Sequence, residues 1–231
     1  MDKSKDTKSP TEEAYRNIKR LMLQQKLMPG QKLPYRELTD LLRMSKTPIV
    51  NALNRLEQDG FVASEINCGY YVKPLDSKEI QDSCEVREAL EIKAAQQAVL
   101  LGKPDDLALL EERLLAYEQY VPYKYDKRKY MLNAEFHLQM ATICGNRVLK
   151  YLLRRNLEHI LLRAKLDNLG PEGMSASARE HRELFEALKD KDVPGCMELI
   201  RNHIQRARDA IIKCLSWEDM DGLESLTFFE E

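Results

Sequence analysis

The chain has 231 residues, 43% hydrophobic and 32% charged, enough to bury one or two cores and, at this length, best divided into two modest domains. No run approaches the roughly 20 apolar residues of a membrane span, and the opening MDKSKDTKSP lacks the apolar stretch of a signal peptide, so a cytoplasmic protein off the membrane is expected. Five scattered cysteines (Cys68, Cys84, Cys144, Cys196, Cys214) form no CxxC pair, which argues for reduced thiols and against a disulfide framework or cysteine zinc site.

The net charge of −2 is unevenly spread: residues 1–75 hold 13 Lys and Arg against 9 Asp and Glu, leaving 23 against 29 for residues 76–231. The first segment is the better polyanion binder, by a margin too small to decide anything without motifs.

Ser9-Pro10-Thr11-Glu12 reads as a capping box with proline at the first helical position, and Ala14, Ile18, Leu21 and Met22 then recur at helical spacing. Pro29-Gly30 marks a turn. A short helix fits Tyr35 to Leu42, with Leu38, Leu41 and Leu42 apolar; another begins near Ser45 or Thr47, turns Ile49, Ala52, Leu53 and Leu56 inward, and stops before Gly60. Two helices within about 25 residues have the proportions of a helix-turn-helix. FVAS, the turn EINCG and YYVKP then spell a hairpin. Three helices plus a β-hairpin wing make a winged helix-turn-helix over residues 1–75.

Residues 76–231 carry no strand signal and read as an all-α antiparallel bundle of six or seven helices, giving a mainly α fold overall. The first helix runs from Asp76 to Leu101, with Ile80, Val86, Leu90, Ile92, Ala94 and Val99 as its apolar pattern. Leu107–Tyr117 follows, then a helix from Met131, then one from Arg147 to Asn168. LGPEGMSAS reads as a loop, Ser177 with Glu180 as a capping box opening the next helix, and Asp192-Val193-Pro194 as the start of the last, ending about Trp217. Asn133 and His137, four apart, share one helix face, while His181 and His203 sit on two later helices. In a bundle those faces can converge on a metal, although three histidines on three helices are more often unrelated surface or core residues.

The run PGQKLPYRELTDLLRMSKTPIVNALNRLEQDGFV followed by CGYYV resembles the DNA-binding domain of the GntR family of bacterial transcription regulators, over about sixty residues in the correct order. The resemblance implies contacts to double-stranded DNA by Arg36, Lys46, Thr47, Val50, Asn51 and the wing at Gly69, and because one winged helix reads only a short half-site, a homodimer on an inverted-repeat operator is expected. The family usually has arginine where Lys46 and Val50 stand and glutamate where Asn51 stands. Lysine is a point charge that grips guanine less discriminately than arginine, valine offers only an apolar contact, and Asn51 either reads adenine or is a solvated helix residue.

VREALE, NAEFH, CGN, REHRELFEAL and MELIRNHI resemble, in order, the FCD effector-binding and dimerisation domain of the FadR-like branch of that family. Many members bind a divalent metal through an aspartate, the histidine four residues later and two further histidines. Those positions are Asn133, His137, His181 and His203 here, and the resemblance implies zinc or nickel with a small carboxylate effector beside it. An amide in place of the carboxylate brings no charge to the cation, so weaker binding is expected. Arg87 either pairs with the acid or forms an ion pair with Glu91 at helical spacing. His159 matches no ligand motif. A hydrolase-like metal site and a purely dimerising bundle are the competing readings; the first lacks an HExxH-type base, and the second leaves the histidines without purpose. A repressor that is not an enzyme is the expectation.

Overall fold

The computed structural model describes residues 9–66, 69–164 and 171–227, with side chains from 173 to 215 in the last span. The chain divides into two compact units, Met1–Leu75 with Leu162–Ala164, and Asp76–Leu161 with Lys165–Glu231.

In the first unit α1 (Pro10–Leu23) starts where Ser9 accepts a 3.2 Å hydrogen bond from the Glu12 amide, as the capping box predicts. Ala14, Ile18, Leu21 and Met22 are all buried. Strand β1 (Lys32–Leu33) precedes α2 (Tyr35–Leu42), which closes on Arg43 in the left-handed region, and α3 (Lys46–Gln58) buries Ile49, Ala52, Leu53 and Leu56. At Gly60, φ is +79°, letting the Phe61 amide turn back to the Leu56 carbonyl. Strands β2 (Val62–Glu65) and β3 (Gly69–Val72) are antiparallel, pairing Val62 with Val72 and Glu65 with Gly69.

Three expectations need correction here. β1 has no counterpart in the sequence reading; it pairs with β3 to give the order β1-β3-β2, anchored by the Gly30 amide on the Val72 carbonyl. A two-residue strand is too short to show a period. Leu41, read as apolar alongside Leu38, is nonetheless 57% exposed, because a two-turn helix sends only Leu38 fully into the core. Within EINCG, Glu65 and Gly69 belong to the strands rather than the turn, and Asn67 and Cys68 lie outside the described residues.

The second unit comprises α4 (Ser77–Leu101), α5 (Pro104–Gln119), α6 (Lys127–Ile143), α7 (Arg147–Arg163), α8 (Pro171–Lys189) and α9 (Val193–Thr227). α4 packs against α6, α8 and α9, α5 against α6 and α8, and α8 against α9. The caps explain two early starts. The Lys103 amide donates to Asp106, and Asp126 accepts from the Lys129 amide, so α5 and α6 each begin a turn or so before the predicted residue.

The phase of α4 differs from the expected one. Its buried stripe is Ile80, Cys84, Arg87, Glu91, Ala94, Ala95, Ala98 and Val99, while Val86 is 51% exposed. A charged pair occupies the inward positions that apolarity alone assigned elsewhere. Most of the expected loop LGPEGMSAS is helical, because Pro171 opens α8 as a favoured first residue; Ser177 is therefore buried in mid-helix and not a cap. The expected Lys165–Asn168 end of α7 lies outside the described residues, and α9 runs about ten residues past Trp217. Among the described residues no helix is long and apolar enough to cross a membrane.

Candidate functional site

Each unit carries one cluster of chemistry. In the first, the outward face of α3 presents Lys46, Thr47, Asn51 and Asn54, all exposed, with Val50 half-buried beside them. Exposed Arg36 stands at the start of α2. Between Arg36 and Lys46 sits Tyr35, with the Lys46 ammonium 4.4 Å from its ring centroid. Its phenol is pulled below the usual tyrosine range, first by a hydrogen bond from Arg36 and then by the positive charge of Lys46. Two cations and an aromatic thus form one exposed cluster where the starts of α2 and α3 meet.

The wing reaches the same helix. Tyr70 on β3 donates its hydroxyl to the Asn54 side-chain oxygen, and Gly69, at φ +88°, lets the chain leave the wing tip in a conformation that other residues rarely adopt. Arg55 is differently employed, stacking on Tyr15 and pairing with Glu12 at 2.6 Å. Tyr35 and Asn54 escaped the sequence reading. A tyrosine at a helix start carries no charge signal, and Asn54 reads as a solvated residue until β3 is folded beside it.

In the second unit His137 on α6, His181 on α8 and His203 on α9 come together, and all three are buried. Their ligand nitrogens lie within 4.8 Å of one another, with the two Nε2 atoms of His137 and His181 at 3.1 Å. Two carboxylates stand behind them. Glu180 Oε2 is 2.7 Å from His203 Nδ1, and Glu91 Oε2 is 2.7 Å from His137 Nδ1, though in a poorer hydrogen-bond alignment. An ionised carboxylate only accepts, so the His203 proton must sit on Nδ1, leaving the Nε2 lone pair free. Phe136 stacks on the His181 ring at 4.6 Å and Tyr117 meets it edge-on at 4.8 Å.

Both carboxylates are tied down from the far side. Glu91 accepts from Arg87 Nε at 2.9 Å, and Arg206 grips Glu180 with a fork of 2.5 and 2.6 Å. Burial alone would raise both acids. The Arg87 guanidinium first, with the adjacent His137 ring, instead holds Glu91 well below the carboxylate range, and hydrogen bonds from His203 and Arg206 hold Glu180 at about 2. Burial drives His181 well below its ordinary range, and lowers His203 to about 4 against the opposing pull of Glu180. Neutral imidazoles backed by carboxylates are the form in which histidine binds a metal.

The donor set fits a first-row divalent ion: tetrahedral coordination at roughly 2.05 Å puts nitrogens about 3.3 Å apart, close to the 3.1 Å pair and within a small closing movement of the rest. Asn133, one turn before His137, is buried and faces a cavity of about 50 Å3 that Arg87, Tyr125, Tyr130, His203 and Arg206 also line. Sequence reasoning missed Glu91 and Glu180 as orienting groups. In the sequence the first pairs only with Arg87, and the second reads as part of a helix cap.

Comparison with known proteins decides the family. The model of bacterial regulatory proteins of the gntR family matches residues 10–72, and the FCD domain matches residues 82–206, more than half of the chain by itself. The chain belongs to the GntR family and carries an FCD domain. This GntR regulator is 26% identical over 187 residues to the Nta operon transcriptional regulator of Aminobacter aminovorans, covering 81% of this chain and 87% of that one. It is 22% identical over 208 residues to the HTH-type transcriptional repressor RspR of Escherichia coli, covering 89% and 90%. Among solved structures, E. coli McbR/YncC shares its fold at a TM-score of 0.73 and 22% identity over 90% of this chain and all of the other. A transcriptional regulator from Rhodococcus sp. RHA1 does so at 0.72 and 17%, over 89% and 99%. The GntR regulator is a DNA-binding transcription factor rather than an enzyme.

Proposed function

We propose that this GntR regulator binds an inverted-repeat operator as a cytoplasmic homodimer, and that a small organic acid bound in the helical unit controls that binding. Residues 1–75 are the DNA-binding domain and 76–231 the effector domain. Arg36 and Lys46 hold phosphate or base edges from the cluster around Tyr35, Thr47, Val50 and Asn51 face the groove from α3, and Gly69 shapes the wing.

The observation that carries the effector reading is the buried convergence of His137, His181 and His203 with Glu91 and Glu180 fixing two of the rings. These histidines would hold a zinc or nickel ion, with Asn133 as an uncharged fourth neighbour. Such an ion supplies an electrophilic centre for a carboxylate. Glu91 and Glu180 hold protons on the outward ring nitrogens, Phe136 and Tyr117 fix the His181 plane, and Arg87 offers a cation to the acid. Control of the operator then follows from the acid preferring one arrangement of the regulator, which makes DNA and acid affinities reciprocally linked.

The test combines metal analysis of the purified regulator with operator-binding titrations in the presence of organic acids. Bound metal, and an acid effect on operator affinity that disappears in His181→Ala, are the expected results. A wild type that neither carries nor takes up zinc or nickel, yet still responds to an acid, would refute the metal site.

A further inference from the structure

We infer that the cavity beside the histidines is built for a compact, doubly charged oxyanion in preference to a monocarboxylate, and that Asn133 sets this preference. The inference rests on the metal reading above and adds the charge and size of the ligand.

Charge bookkeeping around the cavity leads there. Arg87 is balanced by Glu91 and Arg206 by Glu180, each within hydrogen-bonding distance. Metal-bound imidazoles are neutral. A divalent ion on the three histidines therefore brings two positive charges that no side chain lining the cavity offsets, because the residue on the cavity wall one turn before His137 is an amide. Uncompensated charge in a buried space is costly, so the ligand that binds best carries two negative charges. A carboxylate at position 133 would cancel one of them and leave a site for a monoanion.

The hydrogen-bonding groups agree. Arg87 Nη2 and Tyr130 Oη are buried without a hydrogen-bond partner, and both residues line the cavity. Asn133 is 6% exposed, and among the described residues no hydrogen bond engages its amide, although it too faces the cavity. A guanidinium and a phenol donate and an amide offers an N–H, so the wall presents donors to a ligand rich in acceptor oxygens. The volume of about 50 Å3 corresponds to about two waters at roughly 30 Å3 each, which favours a compact tetrahedral oxyanion or a very short dicarboxylate over a longer acid.

The experiment uses zinc-loaded full-length regulator, its metal content measured independently, titrated calorimetrically with malonate, sulfate, acetate and propionate. Malonate or sulfate should bind at least ten-fold tighter than either monocarboxylate, and which of the two wins tells a dicarboxylate from an inorganic oxyanion. Asn133→Asp should retain zinc better against a chelator while losing at least ten-fold of its dianion preference; Asn133→Ala, uncharged like the wild type, should keep that preference. Tyr130→Phe should weaken the preferred dianion several-fold. Zinc-loaded protein that binds acetate as tightly as the dianions, or a preference unchanged in Asn133→Asp, would overturn the inference and leave the metal reading standing. Failure to take up zinc at all would remove both.

Discussion

Glu91 Oε2 stands 2.7 Å from His137 Nδ1 with both residues fully buried, and the same carboxylate holds Arg87 through its other oxygen. One side chain thus satisfies a guanidinium and orients one ring of the histidine cluster, so its removal should be felt in two separate measurements.

Glu91→Ala leaves the Arg87 guanidinium buried and unpaired. Loss of about 3–5 kcal/mol of unfolding free energy is expected, together with weaker zinc retention. Arg87→Met combined with Glu91→Leu should recover most of the stability but not the zinc retention. Denaturant unfolding and chelator competition on the two variants check this; equal stability of Glu91→Ala and wild type would contradict the buried pair.

Phe136 supports His181 from its stacked face, and Phe136→Ala should open a cavity worth about 3–5 kcal/mol. Phe136→Leu should cost much less. A thermal melt separates them, and a melt for Phe136→Ala within a degree or two of wild type would show that the stack carries no packing.

Lys46→Ala should lower operator affinity and reduce the slope of log affinity against log salt by about one if the ammonium meets a phosphate. Arg36→Ala should behave alike. Affinity and slope unchanged in both variants, measured from 50 to 200 mM salt, would remove the Tyr35 cluster from the interface.

Cys196 is buried, and burial together with the neighbouring Asp192 carboxylate pushes its thiol up from 9.0 to about 11. The folded thiol keeps its proton while the unfolded one loses it, so the native state binds more protons between pH 9 and 11. Its stabilising contribution is complete below pH 9 and falls as pH rises, by at most about 1.4 kcal/mol per unit. Unfolding curves at pH 8.5 and 10.5 should show a larger loss for wild type than for Cys196→Ala, and parallel losses would exclude it.

Much of the first unit was legible because its signals are local. Tyr35–Leu42 emerged with both ends correct, between Pro34 and the break before Ser45, and the inward face of α3 emerged complete from its 3.6-residue period. β1 was not, since two residues acquire meaning only when Val72 is brought beside Gln31 and Gly30. In the helical unit, residue type misled where burial is paired. The i, i+4 pairing of Arg87 with Glu91 is legible in the sequence but its burial is not, because the apolar pattern alone draws the expected stripe of α4 through Val86. The histidines were named through resemblance, because spacing along three separate helices cannot report distances across them. Glu180 was read as a cap because Ser177 precedes it by three residues, a pattern that mid-helix packing produces equally well.

The buried ion pair on α4 also limits how this protein can change over generations. Arg87 and Glu91 are expected to be exchanged only together, since either single replacement strands a charge in the interior. Position 133 is under no such restraint, because its amide has no partner to abandon among the described residues. New ligand preferences in this lineage should therefore be reached by single steps at the cavity wall, while the arginine and glutamate behind it persist as a linked pair.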